Sequence, residues 1–147
     1  LTIEEKKYLL NHPVLRVQNL TSFAPFNFNE NQVPKGFTVD YMKLLGKYLN
    51  VKIDFISGKA WNEYLEMLKE GSIDIIPHIA INEERKKYVD FTNFNHIQYT
   101  TGFAIKKGED INSIQDLKGK IIAVTKKSFL HSYLKKYFPN YKYEVLL

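Results

Sequence analysis

Short apolar strands alternate with amphipathic helices along residues 14–80, and few folds accommodate that order. Residues 14–20 place Leu15 and Val17 on one face of a strand, and in 51–56 Val51, Ile53 and Phe55 alternate with Lys52 and Asp54. Between them 37–50 is helical. Phe37, Tyr41, Leu44, Leu45, Tyr48 and Leu49 follow the 3.6-residue period, Thr38 stands at the N-cap with Asp40 in the first turn, and Asn50 closes the helix. Residues 61–70 form a second helix with Trp61, Tyr64, Leu65 and Leu68 on one side and Gly71 just past its end. Residues 73–80 complete the series as a buried strand. This order implies a parallel α/β sheet with crossover helices, whose ligands sit beyond the carboxyl ends of the strands. Loops 20–28, 57–61 and 78–85 meet that condition.

The flanks add further elements. Thr2 and Glu5 have capping-box spacing for a helix over 2–10 with Ile3, Tyr8, Leu9 and Leu10 as its apolar stripe, stopped by Pro13. Pro25 excludes regular structure from a Phe-rich loop over 21–28, and 29–35 reads as a polar turn. After the strand at 73–80 come a polar turn over 82–84, a basic helical turn over 85–88 and extended chain over 89–92. Composition breaks near 93–98. Strand character returns at 99–107 and 120–125, one helical turn capped by Ser113 with Asp116 lies between, Ser128 caps a helix that Pro139 closes, and 143–147 begins another strand.

Composition excludes several function classes. Apolar residues make up 44% of the 147, enough for a packed core. The net charge is +5, carried almost wholly by lysines dispersed among glutamates; the arginines are Arg16 and Arg85 alone. That describes a solvated surface and not a nucleic-acid face. With no cysteine there is no disulfide, thiolate metal site or thiol nucleophile. No apolar run approaches the roughly 20 residues of a membrane span. His12, His78, His96 and His131 are scattered, and no nucleotide-binding glycine motif or serine elbow occurs, so neither metal nor cofactor is expected.

The candidate site residues each have two readings. Arg85 follows a strand-terminal loop, where a planar guanidinium suits a carboxylate; the other reading is a surface arginine paired with Glu83, Glu84 or Asp90. Phe23, Phe26 and Trp61 form either an aromatic wall over a ligand or ordinary core. Thr125, Ser128 and Phe129 lead from a strand into a helix N-terminus, either an anion site or a plain cap. His78 lies inside the apolar strand, as ligand group or as a hydrogen-bonded rim residue.

The segment IDIIPHIAINEERKKYVDFT resembles the T-x-E-R-x-x-x-x-D-F-T/S stretch of type 2 periplasmic substrate-binding proteins, in their amino-acid-binding family 3 branch. FAPFNF at 23–28, GFTVDYMKLLGKYLN at 36–50, the Trp61 helix with Gly71 to Asp74, and SIQDLKGKIIAVTKKS at 113–128 are similar to further family motifs in the family's order. The opening LTIEEKKYLLNHPVLRV resembles the lead-in to Venus-flytrap domains that serve as extracytoplasmic sensors in histidine kinases and diguanylate cyclases.

The resemblance implies an α/β fold of the periplasmic-binding-protein-like II class, two-lobed, with the second lobe incomplete in this chain: a first lobe over 1–95, then a crossover and partial second lobe over 96–147. It implies an exposed sheet edge open to dimerisation or strand exchange. It also implies a small anionic or zwitterionic ligand caught between lobes, no nucleic-acid partner, a periplasmic or extracytoplasmic location and tethering to a membrane protein. Arg85 would hold the ligand carboxylate, Phe23 and Trp61 would sandwich its side chain, the Pro77, His78 and Ala80 loop would touch the carboxylate, and 125–129 would clamp it from the second lobe. Departures are His78 for a small residue, Ala80 for threonine, Leu20 for a polar residue and Lys127 for glycine. The family's amino-group partner would lie beyond Leu147. The expected function is a non-enzymatic sensor domain signalling by lobe closure. The alternatives are a free solute-binding protein of an ABC transporter and a cyclohexadienyl dehydratase-like enzyme with His78 as its acid–base group.

Overall fold

Parallel strand pairs organise both halves of the chain in a computed structural model that describes residues 1–98 and 100–146. Contacts divide the chain into two units, Leu1–Ile79 and Ala80–Leu147.

In the first unit, β1 (Val14–Gln18) pairs in parallel with β5 (Lys52–Ile56). Helix α2 (Phe37–Leu49) makes the crossover between them, and α3 (Trp61–Lys69) follows β5. The expected strand over 73–80 is reduced to a single parallel bridge of Ile75 to Val17. Arg16 explains the contraction. Its carbonyl accepts from both Asp74 and Ile75 N–H, and Gln18 N–H donates to the Ile75 carbonyl. Pro77 has no N–H with which to continue the ladder.

The Arg16 side chain completes the join. Its Nε and Nη2 grip the two Asp74 carboxylate oxygens at 3.0 and 2.7 Å, its peptide N–H donates to Oδ2 at 2.7 Å, and Nη2 also reaches the Gly71 carbonyl. These hydrogen bonds and the adjacent charge hold the Asp74 carboxyl below its ordinary range. The stability this contributes is present above the unfolded carboxylate value of about 4 and is lost as pH falls through the lower folded value. In urea unfolding, Asp74→Asn is therefore expected to cost about 1–2 kcal/mol at neutral pH. The gap from wild type should narrow near pH ~3; a gap independent of pH would show that the carboxylate charge is not what matters.

The loop expected over 21–35 is a three-stranded antiparallel meander: β2 (Ser22–Phe23), β3 (Asn27–Glu30) and β4 (Val33–Lys35). Asn31 and Gln32, both at positive φ, form the two-residue turn that pairs Glu30 with Val33. Pro25 sits in the connection between β2 and β3, outside the ladder.

Helix α1 (Ile3–Asn11) begins with the Thr2–Glu5 capping box. Its predicted apolar stripe meets no core, since Ile3 and Leu10 are about four-fifths exposed. In α2 the period holds and the face differs. Thr38, Val39, Met42 and Gly46 are buried, whereas Phe37, Tyr41, Leu44 and Tyr48 are exposed. Gly36, not Thr38, is the N-cap, and Asn50 closes the helix in the left-handed conformation. Helix α3 buries Tyr64 and Leu65 against Ile73 and Ile76, with Trp61 and Leu68 packed beside them.

In the second unit, β6 (Ile121–Thr125) pairs in parallel with β7 (Lys142–Leu146), crossed over by α4 (Phe129–Tyr137). Leu117, Ile122, Val124 and Leu134 form its core. Arg85–Lys87 and Ile114–Leu117 are 3₁₀ turns, the latter capped by Ser113 and Asp116. The expected strand over 99–107 is absent from 100–107, which is exposed along its whole length and pairs with no strand among the described residues. Tyr99 and Leu147, the ends of two predicted strands, lie outside the described residues.

Candidate functional site

Within the first unit the carboxyl ends of β1 and β5 carry a polar floor. Asn19 Nδ2 donates to Asn29 Oδ1 at 2.6 Å and to Ser57 Oγ at 2.8 Å, and Tyr64 Oη lies 3.0 Å from both the Asn19 and the Ile56 carbonyls. Burial raises the Tyr64 phenol. Phe23 from β2 and Phe26 from the following turn meet the His78 ring edge-on, at centroid distances of 5.4 and 6.3 Å, and each other at 5.4 Å. His78 Nε2 lies 2.6 Å from Thr38 Oγ1 in the first turn of α2. The sequence thus named three members of this cluster, Phe23, Phe26 and His78. It misplaced the fourth, because Thr38 serves His78 and not the helix end. Pro77 is half-buried beside His78, and Trp61, the first residue of α3, packs on the core below.

In the second unit Arg85 is buried, with 3% of its surface exposed. Its peptide N–H donates to Asn82 Oδ1, Nη1 donates to the Ala80 carbonyl at 2.7 Å, and Nη2 donates to the Lys127 carbonyl at 3.0 Å. Burial lowers its pKa, opposed by Tyr88 and by the charge of Glu84. The surface pairing expected as an alternative takes another form: Glu83 pairs with Lys86. Ala80 contributes its carbonyl, which a threonine there would also supply.

Thr125 ends β6, and Phe129 begins α4 with its ring exposed. Ser128 is the α4 N-cap, accepting from His131 N–H at 3.1 Å. Lys127 between them has φ 55°, a conformation natural to glycine. The structure therefore gathers Ala80, Arg85 and the 125–128 turn in one unit, and Phe23, Phe26 and His78 in the other. Asn82, Lys127 and His131 were missed as partners. The glycine expected at 127 was the available signal for Lys127, and nothing in the pattern marked His131. Among the described residues no group of three His, Cys, Asp or Glu could hold a metal ion, and no helix is long and apolar enough to cross a membrane.

Comparison with known proteins defines the class. Residues 15–142 match the family of bacterial extracellular solute-binding proteins, family 3, and the chain belongs to that family. It is 30% identical over 125 residues to the arginine-binding extracellular protein ArtP of Bacillus subtilis (strain 168), which covers 83% of this chain and 48% of ArtP. An ancestral arginine-binding protein solved with arginine bound is 34% identical with a TM-score of 0.75, over 91% of this chain and 61% of that one. The virulence sensor protein BvgS of Bordetella pertussis (strain Tohama I) is 24% identical over 142 residues, 94% of this chain and 11% of BvgS. The chain spans about half the length of the curated binding proteins it matches and about three fifths of the solved ones. The fold is the α/β periplasmic-binding-protein type II fold expected from the motifs.

Proposed function

We propose that the chain is the ligand-capturing part of an extracytoplasmic amino-acid-binding protein of the transporter-associated kind, with Arg85 as the carboxylate grip. The observation that carries the reading is a buried guanidinium at the family's arginine position, oriented by main-chain carbonyls. The names of the relatives support an amino acid as ligand, and most of them are binding proteins. In this reading the ligand is taken between lobes 1–95 and 96–147, Phe23, Phe26 and Trp61 pack on its side chain with Pro77 and His78 at the rim, and Thr125, Ser128 and Phe129 close on it. Turnover is not part of the proposal.

A sensor domain is the second reading, and one observation favours it: the similarity to BvgS runs over 94% of this chain. Closure would then shift an open–closed equilibrium coupled to an output domain.

Calorimetry against amino acids and small carboxylates tests the shared core of both readings. Arg85→Ala is expected to weaken carboxylate binding at least about thirtyfold, as for removal of one partner of a buried charge-assisted pair. Arg85→Lys, which keeps the charge and loses the fork, should fall between. Unchanged affinity in both variants, with the fold intact by circular dichroism, would sink the role given to Arg85.

A further inference from the structure

The turn between β6 and α4 is held more firmly than a helix cap requires. Lys127 occupies the left-handed region, and both its backbone N–H and its carbonyl are hydrogen-bonded. Its N–H donates to His131 Nδ1 at 3.2 Å, and its carbonyl accepts from Arg85 Nη2 at 3.0 Å. His131 binds the same turn a second time, through its own peptide N–H to Ser128 Oγ, while Ser128 N–H donates to the Thr125 carbonyl. One imidazole, the backbone of Lys127 and one guanidinium thus stand in series.

The link has a chemical condition. Nδ1 accepts the Lys127 N–H only while it keeps its lone pair, so the ring must be neutral with its proton on Nε2. Nε2 is buried without a hydrogen-bond partner among the described residues, so no contact there favours the charged form. Burial and then the charge of Lys135 lower the His131 pKa. Among the described residues, Lys135 on the same helix acts on the ring, and Arg85, with Glu84 and Tyr88 acting on it, stands at the far end of the link. The Lys135 charge favours the neutral ring. A proton on Nδ1 removes the acceptor. The Lys127 carbonyl then keeps its bond to Arg85 Nη2 and shares a peptide plane with Ser128 N–H, which donates to the Thr125 carbonyl, but the turn has lost the hold on the Lys127 N–H that offsets its left-handed backbone.

We propose that His131 is the positioning residue of the Arg85 site: neutral, it holds the Lys127 N–H and with it the turn whose carbonyl occupies Arg85 Nη2, and protonated, it releases that N–H, loosens the turn and opens the guanidinium to a carboxylate. This rests on the reading of Arg85 as the carboxylate grip. The Lys127 carbonyl is then a built-in competitor for the ligand, and carboxylate affinity rises as pH falls through the His131 pKa. The sign follows from the depressed pKa: the pinned turn is fully present above the ordinary histidine value of about 6.5 and is lost as pH falls through the lower folded value.

The test uses the ¹⁵N-labelled chain, two variants and acetate as the carboxylate probe. His131→Asn keeps an acceptor near Nδ1 and cannot titrate; His131→Phe has no acceptor at any pH. Between pH ~8 and ~5 the wild-type Lys127 amide should exchange about fivefold faster after correction for intrinsic rates, the factor for one net hydrogen bond. The Arg85 guanidinium resonances should move with the same midpoint, and acetate should bind about fivefold tighter at the lower pH. His131→Asn should flatten these profiles, and His131→Phe should show the low-pH behaviour throughout. Arg85 and Lys127 signals indifferent to pH and to both variants would overturn the proposal, whatever acetate does. Signals that respond as described while acetate never perturbs Arg85 would support the positioning role and remove the carboxylate reading beneath it.

Discussion

Gly36→Ala is expected to destabilise the first unit by about 3 kcal/mol or more, the sum of backbone strain and forced displacement. Gly36 has φ 108° and ψ 169°, a region open to glycine and hostile to a residue with a Cβ. A Cβ there would lie 2.5 Å from the Phe26 carbonyl oxygen and 2.7 Å from that of Pro25. Those oxygens cannot retreat freely, because they cap α2. Phe37 N–H donates to the Pro25 carbonyl and Thr38 N–H to the Phe26 carbonyl, in a helix that has no side-chain cap. The glycine thus allows a loop backbone to do what a serine or aspartate usually does at a helix N-terminus. That same loop carries Phe23 and Phe26 onto His78, and the capped turn carries Thr38 to His78 Nε2. Urea unfolding measures the loss, and the His78 ring resonances should shift with it. Gly58→Ala is the control: φ is 79° with nothing within 4 Å of a Cβ, so only the strain of about 1–2 kcal/mol applies. If Gly36→Ala costs no more than Gly58→Ala, the close approach of the Pro25–Phe26 backbone is not what requires the glycine.

The helical periods in this chain were legible because they depend on spacing alone; the faces were not always legible. In α2 both Phe37, Tyr41, Leu44, Tyr48 and Val39, Met42, Gly46 recur at helical intervals, and the bulkier set was the obvious choice for the core. The helix instead turns the set that contains Gly46 inward because it lies close to β5: a Cβ on Gly46 would stand 2.7 Å from Ile53 Cγ1. Residues 73–80 looked like the best strand by composition. Two details, the Arg16–Asp74 grip and Pro77, limit it to one bridge, and both depend on a residue some sixty positions away or on a missing N–H. The meander at 22–35 was hidden because its strands are polar and its turn uses Asn31 and Gln32 in place of a glycine. At the candidate site the sequence named Arg85 and Ala80 but not the hydrogen bond to the main chain that joins them. Carboxylates were the visible candidates, whereas main-chain carbonyls, which hold Arg85 here, leave no trace in composition.

Replacing Tyr64 should separate ring burial from hydrogen bonding in the element that supports both β1 and β5. The ring is fully buried against Leu65, Ile73 and Ile76, and its hydroxyl reaches the carbonyls that end the two strands while accepting from Lys59 N–H at 3.3 Å. Tyr64→Ala removes the whole side chain beneath the 57–61 loop, and by analogy with other large-to-small core changes about 3–5 kcal/mol should be lost. Tyr64→Phe keeps the packing. The Ile56 carbonyl still accepts from Asn19 N–H, so the loss is confined to the Asn19 carbonyl and Lys59 N–H, about 1–1.5 kcal/mol. Thermal and urea unfolding of the two variants measure the division. Equal losses in Phe and Ala would mean that the hydroxyl, not the ring, joins α3 to the sheet. A negligible loss in Phe would mean that the strand ends are held by their own backbone bonds. The expected ranking has a consequence for the site: Tyr64→Phe should loosen Ser57 and Asn19 while the core stays folded. A change in ligand affinity in that variant would then report on the polar floor at the strand ends and not on unfolding.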